Sequence, residues 1–161
     1  HDCRNFAGLR RFDMAVFGHD QPDRLMRLII IPPAHLDRVW REGANQLAEA
    51  CKWADREVTP DQLKMMLARG ERTLCALEDD AGRLVAFAAT QVQQLPNIRV
   101  LYVYSIFAPG STAPECFEHL AGYARHEGCS AIRGACSDAV ERLWARKFKA
   151  RTLYHICEID V

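Results

Sequence analysis

The stretch from residue 73 to residue 128 constrains the fold more than any other part of the chain. Residues 73–78 and 83–93 are strand-like runs on either side of "DDAG", whose Asp and Gly residues suit the positive backbone angles of a tight hairpin. A third run, 98–107, is rich in β-branched and aromatic residues and follows the turn "LPN". Close behind it, Thr112 and Glu115 form a capping-box pair, Phe117, Leu120, Ala121 and Ala124 recur at helical spacing, and Gly128 supplies the stop. "SAIRGA" (130–135) then reads as another short strand. Antiparallel strands followed by a helical crossover require a mixed sheet, with helices covering both faces.

The flanking elements extend this order. "MRLIIIPP", opened by Met26, reads as a first strand. Leu36, Val39, Trp40, Leu47, Ala50, Cys51 and Ala54 make one apolar stripe, a first helix bent near Gly43. In "TPDQLKMMLARG", Thr59 is the expected N-cap, Pro60 the first helical residue, Gln62 the partner in a capping box and Gly70 the stop. Ser137 is expected to cap a last helix with Val140, Leu143, Trp144 and Phe148 inside, and 151–160 is expected to be the closing strand. The predicted order is β-α-α-β-β-β-α-β-α-β, an α/β fold. A chain of 161 residues fits one such domain, placed at 26–161. Residues 1–25 show neither strand nor helix period and are expected to be poorly ordered, appended and dispensable.

Composition excludes several classes of function. Lys plus Arg (21) balances Asp plus Glu (21), so no global field draws the chain to nucleic acid or to an anionic membrane. The apolar run 28–33 is far short of the ~20 residues of a spanning helix, and no signal-peptide pattern is visible, so a cytoplasmic location is expected. Seven cysteines without a tight framework read as reduced thiols used as small buried hydrophobes.

The strand-turn-helix at 102–122 is the candidate anion cradle. The first amides of a helix lack internal partners and carry partial positive charge, and Gly110, Ser111 and Thr112 add close backbone approach and hydroxyl donors. A capped helix with no ligand is the equal alternative. Zinc is not expected at Cys116, His119, His126 and Cys129: on one helix, a rise of 1.5 Å per residue puts the ends roughly 15 Å apart. His35 and His155 read as ordinary residues. Ser105 and Ser111 lack a nucleophile-elbow pattern. Met65 and Met66 fit a core better than a groove, and the basic run 142–151 fits a solvated helix face. Tyr102 and Tyr104 share a strand face, where packing is the commoner role and proton donation to a leaving group the other.

Taken together, the order of elements and the stretches "LEDDAGRLVAFAAT" (77–90), "ARHEGCSAIRGACSDAVERLW" (124–144) and "KFKARTLY" (147–154) resemble the GNAT superfamily of N-acyltransferases. "MRLIIIPP" and the region after it also look like GNAT-like domains of tailed bacteriophages, for which host cytoplasm or virion would be the location. The resemblance implies a cleft where the fourth and fifth strands splay, holding acetyl-CoA. Ile106, Phe107 and Ala108 would border the cofactor arm, and the amides of Gly110, Ser111, Thr112 and Ala113 would take its pyrophosphate. It implies acetyl transfer to an amine of a small molecule or protein, with no metal. The family's Q/R-x-x-G-x-G/A run is here "FAPGSTAPE", with one glycine, and no strand glutamate stands where a base is common. No general base is assigned, and Tyr102 and Tyr104 are the candidates for a proton donor. The alternative implied by the same resemblance is a non-catalytic GNAT-like binding or structural module.

Overall fold

The computed structural model describes residues 26–52 and 57–161 and the backbone of residues 11–12. Its strands are β1 (Arg11–Phe12), β2 (Arg27–Ile31), β3 (Thr73–Glu78), β4 (Leu84–Gln94), β5 (Arg99–Phe107) and β6 (Ala131–Gly134). Its helices are α1 (Leu36–Glu42), α2 (Leu47–Cys51), α3 (Pro60–Ala68), α4 (Ala113–His126) and α5 (Asp138–Phe148). The strands form one sheet in the order β1-β2-β3-β4-β5-β6, antiparallel up to β5, with β5 and β6 parallel across the α4 crossover.

Alternation along the central strands sends side chains into two cores. On one face Ile29, Leu74, Ala76, Phe87 and Ala89 pack against Leu36, Val39, Leu47, Leu63 and Leu67 of α1–α3. On the other, Leu28, Cys75, Leu77, Ala88 and Leu101 pack against Cys116, Leu120, Tyr123 and Ala124 of α4. Local chemistry fixes the ends of several elements. Thr59 Oγ1 accepts from the Gln62 N–H (3.3 Å) while Gln62 Oε1 accepts from the Thr59 N–H (2.9 Å), the reciprocal box expected from the sequence. In the β3–β4 turn, Asp79 Oδ1 accepts from the N–H groups of Ala81 and Arg83 at 3.0 and 2.8 Å, while Oδ2 accepts from Arg83 Nε at 3.0 Å.

Five expectations need correction. The first helix is not one bent rod: it breaks at Gly43, passes through a 3-10 turn (Ala44–Gln46) and resumes as α2, and position 54 of its predicted stripe lies outside the described residues. Thr112 makes no cap bond, because a 3-10 turn at Gly110–Thr112 already holds it in helical geometry; its hydroxyl donates to Pro109 O at 2.7 Å instead. Ser137 sits at the N-cap of α5 with extended backbone but without a side-chain cap bond. The buried face of α4 is Cys116, Leu120, Tyr123 and Ala124, rotated from the predicted one, so that Phe117 turns toward α5 and stacks on Phe148 at 4.2 Å and edge-on to Trp144 at 5.0 Å. Val140, Leu143, Trp144 and Phe148 are accordingly only half-buried.

The fifth correction is the largest. Residues 151–161 form no strand and are exposed throughout. A strand exists through ladder pairing, and this segment pairs with no strand among the described residues: residues 150–156 and 132–136 border one opening, with Thr152 Oγ1 bonded to Glu141 of α5. The predicted disorder of residues 1–25 lies outside the described residues, apart from the backbone of residues 11–12, which pairs with Leu28 and Ile29. Of the six described cysteines, all free thiols, Cys51, Cys75, Cys116 and Cys129 are buried as expected, whereas Cys136 and Cys157 are exposed.

Candidate active site

The site begins with a mismatch of strand lengths. β6 pairs with β5 only from Val100–Ala131 to Val103–Gly134, yet β5 continues to Phe107 with β4 on its other side. Residues 104–107 therefore border a cleft, and their backbone groups on that edge have no strand partner among the described residues. Gly134 sits where the strands part: a Cβ there would lie 3.1 Å from Val103 O and 3.3 Å from the Trp144 ring. Above it, β5 carries a bulge. Ala89 faces Ser105 and Thr90 faces Val103, so Tyr104 is the residue left over, and the strand twists locally.

The predicted cofactor residues lie at the end of β5 and in the turn after it, on different sides of the sheet. Phe107 packs into the core with α1–α3, while Ile106 and Ala108 pack on the α4 side, as alternation along β5 requires. Beyond them, Gly110 adopts φ +41°, a left-handed angle that opens the 3-10 turn leading into the 14-residue α4. The Thr112 N–H donates to Pro109 O at 2.9 Å, the same carbonyl that takes its hydroxyl. Two expected anion donors are thus spent. The N–H groups of Gly110, Ser111 and Ala113 stand at the dipole-positive start of α4, beside Pro114, which has no N–H, and Glu115, whose charge opposes an incoming anion.

Tyr102 and Tyr104 are brought together, with ring centroids 4.7 Å apart, but their hydroxyls differ. Tyr104 Oη donates to Gln91 Oε1 at 2.8 Å and accepts from Gln93 Nε2 at 3.0 Å, and the Arg72 guanidinium lies 3.5 Å from its ring centroid. It is a fixed strut. Tyr102 leans toward β6 and the loop after it, where it meets the Ala135 backbone; burial, then the neighbouring Tyr104, Tyr154 and Glu57, raise its pKa. A phenol held so stays protonated at neutral pH and acts as a donor rather than a base.

Ser105 and two buried thiols are spent or inert. Ser105 is buried with Oγ donating to Leu47 O at 3.0 Å, and Cys75 and Cys116 are pushed by burial up to about 12. His119 has its Nδ1 buried without a partner, and burial lowers its pKa, which suits a neutral packing residue.

Comparison with known proteins places this geometry in context. No family model matches the sequence, and no curated protein matches it. Solved structures do: one described as a "probable acetyltransferase" superposes with TM-score 0.59 at 17% identity, over 84% of this chain and 96% of the other. The aminoglycoside N-acetyltransferase AAC(6')-Iy in complex with CoA gives TM-score 0.58 at 15% identity, over 89% and 99%. An acetyltransferase of Trypanosoma brucei gives 0.54 at 13% identity, over 84% and 99%. The fold is GNAT-like. At such identities the likeness establishes the architecture alone, and the chemistry of this GNAT-like domain must be argued from its own residues.

Several residues of the site were not singled out from the sequence. Arg72, Gln91 and Gln93 hold Tyr104, and Gly134 sets where the strands part. The i, i+2 spacing of Gln91 and Gln93 marks them as one face of a strand, but the bulge that brings Tyr104 to both has no signature in residue type.

Proposed function

We propose that this GNAT-like domain binds acetyl-CoA beside β5 and transfers the acetyl group to an amine. The observation that supports it most is the parting of β5 from β6 after Val103 and Gly134, which leaves an open strand edge leading to the start of a long helix. An unpaired edge at residues 104–107 suits an amide-bearing pantetheine arm, and the Gly110, Ser111 and Ala113 N–H groups suit its diphosphate. Bound there, acetyl-CoA would supply an activated acyl group. The chain's own part is to hold and orient: Ile106 and Ala108, packed toward α4, screen one wall of the cleft from water, and Tyr102 offers a protonated hydroxyl where the strands diverge. A neutral amine needs little more than proximity and a path for one proton.

A thermal-shift titration with acetyl-CoA tests the reading. At 100 times the dissociation constant, binding should add ~2.7 kcal/mol of stability. Gly110→Pro should weaken that binding, because proline cannot adopt φ +41° and removes one of the amides. Unchanged affinity in the variant would move the diphosphate elsewhere. No shift at millimolar cofactor would favour the non-catalytic binding module, for which the spent Thr112 donors and the charge of Glu115 already argue.

A further inference from the structure

Tyr104 stands at the centre of a polar cluster on the sheet that cofactor binding does not use. Gln91 and Gln93 continue the face of β4 that carries Ala89, the face packed against α1–α3, and both hold the Tyr104 hydroxyl. Tyr102 lies opposite Gln91 in the ladder and so on the same face, its ring 4.7 Å from that of Tyr104. These four side chains make a polar floor beside the point where β5 and β6 part. The opposite face of the sheet is covered by α4, so a molecule reaching the open edge of β5 crosses this floor.

Over the floor lies the Arg72 guanidinium, 3.5 Å from the Tyr104 ring centroid. Its main chain is held from two sides. The N–H groups of Glu71 and Arg72 donate to Met66 O at the end of α3, at 3.0 and 3.4 Å, and Gln91 Nε2 donates to Glu71 O at 3.2 Å. The half-buried guanidinium nevertheless has no carboxylate at ion-pair distance and no hydrogen-bond acceptor among the described residues; the neighbouring Glu71 faces Arg69 instead. Stacking uses the face of a guanidinium and leaves its N–H groups, which lie in the plane, to receive a planar two-oxygen anion.

Nearby charge selects among anions. The exposed Glu57 carboxylate is close enough to Tyr102 to add to the rise of its pKa, behind burial, Tyr104 and Tyr154. It disfavours a dianion such as a phosphate ester and favours an ammonium group. The floor is thus cationic over Tyr104 and anionic beside Tyr102, the polarity of a zwitterion.

We infer that the acceptor is a small amine carrying a carboxylate a few bonds away, an amino-acid-like molecule whose carboxylate is taken by Arg72 above Tyr104 and whose nitrogen lies over Tyr102. This rests on the acetyl-transfer reading and narrows its acceptor. Arg72 sets specificity, and Gln91 and Gln93 position the ring on which it lies. In the transfer the acceptor nitrogen forms the new C–N bond as the C–S bond of the thioester breaks, and the proton lost by the amine balances the one taken up by the leaving thiolate.

The test compares the common amino acids, β-alanine and 5-aminovalerate, each against its uncharged amide, by turnover (free coenzyme A thiol) and by calorimetric titration into the chain without cofactor. At least one acid should be preferred to its amide by about tenfold or more in KM and in affinity. Arg72→Met, folded by circular dichroism, should bring that ratio to about one while keeping the thermal shift given by acetyl-CoA; Arg72→Lys, which keeps the charge and loses the planar fork, should fall between. The inference is overturned if no acid is preferred to its amide, if the preference survives Arg72→Met, or if O-phosphoethanolamine binds more tightly than β-alanine. Absence of any shift with acetyl-CoA would remove the transfer reading instead, and calorimetry alone then decides: acid binding that depends on Arg72 upholds the carboxylate site, and equal binding of acid and amide removes it.

Discussion

Gly134 is the residue on which the cleft turns. It is the last to pair with β5, opposite Val103, and the absent side chain lets the Trp144 ring close over the strand. Gly134→Val would drive carbon atoms against Val103 O, 3.1 Å from an ideal Cβ, and against the indole at 3.3 Å. The backbone oxygen cannot yield, so Trp144 must leave and its edge contact with Phe117 goes with it. A loss of about 1–3 kcal/mol is expected in urea unfolding, with an m-value close to that of the parent; an unchanged midpoint would show that Trp144 does not pack there. Residue identity foretold little of this. The tyrosines were visible as a pair, but that two glutamines hold the Tyr104 hydroxyl while that of Tyr102 meets the Ala135 backbone depends on the bulge at Tyr104 and on Gln91, Gln93 and Arg72 arriving from other elements.

At the scale of elements, two copies of one signature had different outcomes. Thr59 with Gln62 and Thr112 with Glu115 both read as capping boxes, yet only the first forms. Thr59 has the extended backbone of an N-cap, φ −79° and ψ 161°, whereas Thr112 is already helical at φ −83° and ψ −16° because the Pro109–Gly110 turn winds the chain one turn early. The difference is measurable. Gln62→Ala should cost about 0.5–1 kcal/mol by unfolding the box at α3, whereas Glu115→Ala should change stability by less than ~0.5 kcal/mol. Equal costs would mean that Glu115 holds a cap after all. Where a signature's backbone context was local, as at Thr59 or in the Asp79 turn, the sequence was enough; where a neighbouring turn reset the geometry, it was not.

Across the whole molecule, burial is uneven. The central strands carry both cores, with Leu28, Leu74, Leu77, Phe87 and Leu101 at 2% exposure or less, while α5 has no buried residue and touches the rest through Phe117 and Gly134. The strands from β2 to β5 and the helices α3 and α4 could be read from hydrophobic period because each buries a face against its own chain, whereas β1 and the break of the first helix at Gly43 could not. The strand predicted at 151–160 could not be placed in that way, since its period shows which side chains it would bury and not whether an edge pairs with it. Stability should follow the same gradient. In native-state hydrogen exchange, amides of α5 should open at a free energy several kcal/mol below that of β3 and β4, which exchange only on global unfolding. Adding denaturant should shift β3 and β4 with the full m-value and leave α5 nearly flat, because its opening exposes little apolar surface. If α5 instead exchanged together with the central strands, the Phe117, Trp144 and Phe148 contacts would bind it into the cooperative core more tightly than its half-buried face implies.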